Sequence, residues 1–251
     1  MPSQGEDERN EKKLVPGTLF LIPTPLGDTP LERVLPEETR RIAAGLSIFI
    51  VEQAKTARAF LKQVPTATPL QQLSLLELNE HTPKDRLENL LAPLLAGQDV
   101  GLVSEAGCPA VADPGADLVR LAHRHGIHVR PLVGPSSILL ALMGSGLVGQ
   151  RFAFHGYLPT KPEDRAKALR ELEKRAEKDD AAQAFIETPY RNSAMLESIL
   201  AACRDDTLVT VARDLTLDGE YLVTRPVSAW RGAAPDIQKR PTVFLLYRPK
   251  A

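Results

Sequence analysis

The chain has 251 residues, 43% hydrophobic and 25% charged, with a formal net charge of −1. That length allows one large core or two smaller ones, and the near-neutral total gives no overall pull toward nucleic acid or membrane, although it leaves room for a local basic patch. Cys108 and Cys203 match no zinc spacing and, with no secretory leader pattern, fit a reducing cytoplasm; no metal is expected, and no apolar run approaches the ~20 residues of a bilayer crossing.

Residues 1–13 are polar and lack apolar periodicity, so a disordered tail is expected. Gly17–Thr24 reads as a strand that ends in Pro23-Thr24-Pro25-Leu26-Gly27-Asp28, a loop stiffened by its prolines. Leu31–Ala44 reads as a helix with Pro36 inside or near its first turn, Leu46–Val51 as an apolar strand closed by Glu52, and Thr56–Val64 as a short helix. A weaker strand over Leu73–Leu78 leads to Asn79, and Thr82-Pro83 has the N-cap and first-turn character that would open a helix to Leu95.

The stretch Gly101–Gly115 organises this half. Val100, Leu102 and Val103 read as a buried strand, a loop of small residues with Pro109 and Pro114 follows, and Ala116–His125 reads as a helix. Strand, stiff loop and helix form the mouth of an α/β unit, where such sheets take ligands at the carboxyl ends of their strands. Gly107 lacks a Cβ, so backbone can approach a ligand closely there. With Ile127–Leu132 as a further strand, the alternation predicts a mostly parallel sheet with helices on both faces. None of the early loops carries G-x-G-x-x-G or a P-loop, which argues against a standard dinucleotide or nucleoside-triphosphate site.

Gly134-Pro135-Ser136-Ser137 reads first as the cap of an apolar helix, Ile138–Met143, and Gly144, Gly146 and Gly149 suggest a hinge between domains. Beyond it, Phe152–Tyr157, Ala184–Glu187, Leu208–Ala212, Glu220–Thr224 and Thr242–Tyr247 read as strands and Ser193–Cys203 as a helix. Glu163–Lys178 is a charged helix, more basic than acidic, that reads as a solvated face. Strands outnumber helices here, which predicts a mixed-sheet α/β domain. The expected division is 14–133 and 134–251.

Several pieces occur together in one order: LIPTPLGD (21–28), NE (79–80), LVSEAGCPAVADPG (102–115), PLVGPSS (131–137), FAFHGYLPTK (152–161), FIETPYR (185–191) and ARDLT (212–216) with Glu220. In this the chain resembles the tetrapyrrole methylase superfamily of S-adenosylmethionine-dependent methyltransferases, and within it the branch that methylates a ribose 2′-hydroxyl of a cytidine in small-subunit ribosomal RNA. The resemblance implies a cytoplasmic two-domain homodimer that holds S-adenosylmethionine in a cleft between its domains and acts on ribosomal RNA or the small ribosomal subunit; the alternatives are a methyltransferase acting on a tetrapyrrole or other small molecule, and a cofactor-binding dimer that has lost catalysis. It implies cofactor contacts at Pro25, Leu26, Ser104, Gly107, Cys108, Val111, Ser136, Ser137, Ile138, Ala212 and Thr242.

Some positions depart from that branch. An acidic pair, a threonine and an arginine are expected after Val51, where this chain has Glu52, Gln53, Ala54 and Lys55; His155 stands in place of a glutamate, Leu217 of a lysine and Glu105 of an aspartate. Drawing the proton from a ribose hydroxyl calls for a base. Glu105 comes first among the candidates, then Glu52 and His155, with Glu187 and Glu220 also carboxylates of suitable type. Lys55, Asn79, Glu187, Arg191, Arg213 and Glu220 are the substrate-side candidates. Lys55, Arg58 and Arg213 could meet a phosphate or be plain surface charges, and Glu187 and Arg191 are close enough in sequence to pair with each other.

Overall fold

The computed structural model describes residues 15–79 and 81–250; the expected tail over 1–13 and Glu80 of the Asn79-Glu80 pair lie outside them. The first elements are β1 (Thr18–Ile22), α1 (Leu31–Val34), α2 (Glu37–Gly45), β2 (Ile48–Val51), α3 (Ala54–Leu61), β3 (Ser74–Glu77), α4 (Leu87–Leu95), β4 (Val100–Val103), α5 (Ala116–Arg124) and β5 (His128–Pro131). Then come α6 (Ser137–Ser145), β6 (Phe152–Tyr157), α7 (Pro162–Asp179), β7 (Ala182–Ile186), α8 (Asn192–Ala202), β8 (Leu208–Arg213), β9 (Tyr221–Pro226), α9 (Val227–Trp230) and β10 (Thr242–Tyr247). No helix among the described residues is long and apolar enough to cross a membrane.

The elements form two compact units. One comprises residues 15–22, 37–105 and 109–133; the other comprises 23–36, 106–108 and 134–250. The glycine-rich stretch 144–149, expected as a hinge, lies within the second unit. Gly146 there takes φ +71° and simply ends α6.

In the first unit five strands lie in the order β3-β2-β4-β1-β5, each neighbouring pair parallel. β2 and β4 are buried along their whole length, as strands covered on both faces must be. Leu90, Leu91 and Leu94 of α4 and Leu118 and Ala122 of α5 close over Leu19, Ile50, Val100 and Leu102. The helix expected over Leu31–Ala44 is broken: Pro36 disfavours helical backbone at Leu35, which takes φ −115° and ψ 122° and separates α1 from α2. Thr82 does not cap a helix. Asn79 Oδ1 accepts the His81 N–H at 3.0 Å, and the Thr82 hydroxyl accepts the Asn79 N–H at 2.9 Å. That local turn competes with capping, and α4 starts only at Leu87 after a short 3-10 turn.

The second unit holds a mixed sheet, β6-β7-β10-β8-β9, parallel between β6 and β7 and antiparallel elsewhere. Side chains alternate across it with period two. Phe185, Val209, Val211, Phe244 and Leu246 pack under α7, α8 and α9. Their neighbours Ala184, Ala212, Val243 and Leu245 face α6. Trp230 of α9, a helix absent from the sequence reading, is fully buried and donates its indole N–H to the Val209 carbonyl at 3.0 Å.

Candidate functional site

Three stiff segments of the second unit meet through backbone groups. Thr24 N donates to the Gly107 carbonyl at 2.9 Å and Gly107 N returns a bond to the Thr24 carbonyl at 3.1 Å, so the loop after β1 and the loop after β4 clasp each other. Gly107 has φ +77°, a conformation that suits glycine, and a Cβ there would lie 3.3 Å from Leu26 Cδ2. The Cys108 thiol donates to the Pro135 carbonyl at 3.4 Å. A Cβ on Gly134 would come 2.3 Å from Pro23 Cβ, so the third segment is pressed against the first. Ser136 caps α6 by accepting the Leu139 N–H at 3.4 Å, as its place in the sequence predicts.

Beside these segments lies a cavity of about 240 Å³ within the second unit. Leu26, Ala106 and Ser137 form one part of its lining. The ends of β6, β7 and β8 supply Tyr157, Ile186, Glu187, Ala212, Asp214 and Leu215, and the start of β10 adds Thr242 and Val243 with Pro241 before it and Pro189 nearby. The surface is mostly apolar, with two buried carboxylates on it. Glu187 Oε1 accepts the Thr188 N–H at 2.6 Å and a bond from Arg191 at 2.7 Å. Asp214, in the left-handed region at φ +51°, is paired with Arg240 at 2.5 Å. A buried carboxylate bound in this way fixes the chain at a strand's end.

Leu26, Ser137, Ala212, Thr242 and Glu187, singled out in the sequence, therefore line one cavity. Gly107 and Ser136 adjoin its lining residues Ala106 and Ser137 in the chain, as Pro25 does Leu26; Cys108 and Ile138 follow within two residues. Burial raises the Cys108 thiol pKa above its ordinary value. Arg191 is held by Glu187. Arg213 donates to the carbonyls of Asp236 and Gly219 and stacks over the Tyr221 ring at 5.1 Å. Glu220 accepts the Thr216 N–H at 2.8 Å. His155 is hydrogen-bonded through Nε2 to Gln183 Oε1 at 2.7 Å and is not among the residues lining the cavity. Tyr157 and Asp214 were not singled out; they belong to the FAFHGYLPTK and ARDLT pieces, which were the available signal.

The remaining candidates, Glu52, Lys55, Asn79, Ser104, Glu105 and Val111, belong to the first unit. The Thr56 hydroxyl lies 3.1 Å from Glu105 Oε1 and 2.8 Å from Gln53 Oε1, its one proton shared between the two acceptors. Val111 is half exposed, and Lys55 is exposed. The sequence reading passed over Asp113. Burial, followed by the neighbouring Glu105 charge, pushes its carboxyl up to about 6, against a Ser104 hydrogen bond that lowers it. Ala110 and Ala112 beside it both have positive φ, near +64° and +61°, so this loop carries backbone strain. Among the described residues no three His, Cys, Asp or Glu side chains gather as a metal site would need.

Residues 18–229 match the Tetrapyrrole (Corrin/Porphyrin) Methylases. The chain belongs to this family. Its relatives include the ribosomal RNA small subunit methyltransferase I of Escherichia coli O157:H7, 33% identical over 242 residues that cover 94% of this chain and 79% of that protein. The protein of the same name from Synechocystis is 32% identical, covering 86% of this chain and 71% of its own. Among solved structures, the methyltransferase CobJ superposes with TM-score 0.60 at 22% identity, covering 92% of this chain and 93% of that one. The uroporphyrin-III-C-methyltransferase of Thermus thermophilus gives TM-score 0.55 at 17% identity, with 92% of each chain covered. At those identities the likeness is one of fold, and it matches the two-sheet architecture. This tetrapyrrole methylase is accordingly an S-adenosylmethionine-dependent methyltransferase.

Proposed function

We propose that this methylase transfers a methyl group from S-adenosylmethionine to a ribose 2′-hydroxyl of a cytidine in small-subunit ribosomal RNA. The observation that carries the reading is the clasp of Thr24 and Gly107 beside a cavity lined by Leu26, Ser137, Ala212 and Thr242. The names of the relatives supply the substrate. The lining suits such a cofactor: apolar walls for a purine and a thioether chain, with a glycine turn whose missing Cβ leaves backbone open to approach. Leu26, Ser137, Ala212 and Thr242 would hold it, with Pro25, Ser104, Gly107, Cys108, Val111, Ser136 and Ile138 as the further positions nominated by the family resemblance.

When bound, S-adenosylmethionine supplies an electrophilic methyl on a sulfonium. The acceptor's hydroxyl proton would pass to a base of this chain as the methyl is taken up. Glu105 takes that proton in this reading, with its carboxylate oriented by the Thr56 hydroxyl. Glu52 and His155 stand behind it as candidates, and Lys55, Asn79, Glu187, Arg191, Arg213 and Glu220 as substrate-side groups. Most of the acceleration comes from alignment of acceptor and methyl.

On this reading the enzyme works in the cytoplasm as a homodimer. Leu139 and Met143, 56% and 78% exposed one turn apart on α6, support an apolar face for a second copy. Transfer of a labelled methyl group to small ribosomal subunits from a strain lacking the gene tests the function. Label at a cytidine ribose is the expected result; label only in a small molecule would overturn it.

A further inference from the structure

Helix α7 looks nearly balanced in charge when read as sequence, but folding pairs some of its charges and leaves others open. Three of its carboxylates are held within the molecule. Glu173 is buried, accepting the Arg204 N–H at 2.8 Å and the Thr207 hydroxyl. Glu177 pairs with Arg204 and Arg248, and Glu171 with Arg175. Glu163 and Asp164 lie in the first turn, where negative charge complements the helix dipole. The buried cation, Arg165, is spent on Ser198 and the Thr160 carbonyl.

The outward cations are treated differently. At 100° per residue, Lys167, Lys174 and Lys178 fall within about 40° of one another, with Arg170 at their flank, on a strip roughly 16 Å long. All four are exposed. None has an ion pair within 4.0 Å among the described residues. A shallow surface hollow of about 510 Å³ follows this strip, lined by Lys167, Arg170 and Lys174 together with Arg175, Asp164 and Glu171.

We infer that the outer face of α7 is a docking track for the phosphate backbone of the RNA substrate. The inference rests on the RNA reading above and adds where the protein grips that substrate. Unpaired cations at 167, 170, 174 and 178, on a rigid rod, follow one another at about 4.5–6 Å along the helix, with Arg170 set to one side. Such a line is complementary to a chain of phosphodiesters and releases counterions on contact. It carries no base readout, so it supplies affinity and not the choice of cytidine.

The test is a triple variant, Lys167→Gln with Lys174→Gln and Lys178→Gln, alongside the same three changes to Glu. Binding to in vitro transcribed small-subunit ribosomal RNA is measured against salt, with S-adenosylmethionine affinity and the melting temperature as controls. The Gln variant should bind RNA on the order of tenfold more weakly at about 0.1 M salt, and its salt slope should fall by about 2, with both controls unchanged. Equal affinity and slope for wild type and variants would overturn the inference while leaving the methylation reading intact. Retention of the wild type on phosphatidylglycerol vesicles but not on RNA would overturn it in favour of a membrane surface. A wild type that neither binds nor methylates RNA would remove the substrate reading and the track together.

Discussion

The cavity wall and the outer face of α7 put charged residues to opposite ends. At the wall, Glu187 and Asp214 are buried and each is matched by a guanidinium. On α7, three lysines stand exposed and without an ion pair among the described residues. The first arrangement fixes local backbone at the ends of β7 and β8, at the cost of dehydrating charge. The second contributes almost nothing to folding and leaves its cations for a partner. What a charged residue does is thus decided by its surroundings and cannot be read from composition.

The largest effect that would sharpen this contrast is expected at the wall. Glu187→Ala strips the Thr188 N–H and Arg191 of their acceptor, and charged hydrogen bonds of this kind are worth about 1.5–3 kcal/mol. A fall in stability of about 2–3 kcal/mol should appear in urea unfolding. Next comes Gly107→Ala, which forces a Cβ into left-handed backbone, a penalty of about 1–2 kcal/mol. Because that Cβ would press toward Leu26, calorimetry should also show weaker S-adenosylmethionine binding.

Asp113 gives a smaller, pH-dependent effect. Its folded pKa of about 6 lies above the ordinary value of 3.8. The folded state therefore holds the proton longer than the unfolded chain, and stability falls as pH rises between those values. Solvent reaching the group moderates the slope. Melting temperatures near about pH 4.5 and about pH 7.5 should differ more in the wild type than in Asp113→Asn. The smallest effect is expected for Lys174→Gln, within about 0.5 kcal/mol of wild type in urea. If it matched Glu187→Ala in cost, the contrast between the two regions would disappear.

Alternation of apolar runs with periodic segments made the parallel sheet of the first unit legible, because each crossover there needs its own helix. Strand positions in the second unit were legible too, but their order was not. Antiparallel pairing of β10 between β7 and β8 joins segments far apart in sequence, and no local signal sets it. The short helix α9 was missed because four residues are too few to show a period. At the site, glycine and proline punctuation exposed both loops of the clasp, and the resemblance nominated Ala212 and Thr242. Asp214 and Tyr157 escaped notice because their place on the cavity depends on strand ends meeting in space. The charge of α7 marks a solvated face in the sequence, and most of its charged residues are exposed; that Arg165 and Glu173 are buried is a matter of tertiary packing.

The mutual bond between Thr24 and Gly107 has a practical consequence for anyone redesigning this enzyme. Main-chain atoms make that joint, so many side chains on either loop can be exchanged, but the number of residues cannot. A library that randomises positions 23–27 and 106–109 at fixed length while keeping Gly107 should retain a large folded fraction, whereas a single deletion in either loop would misalign both.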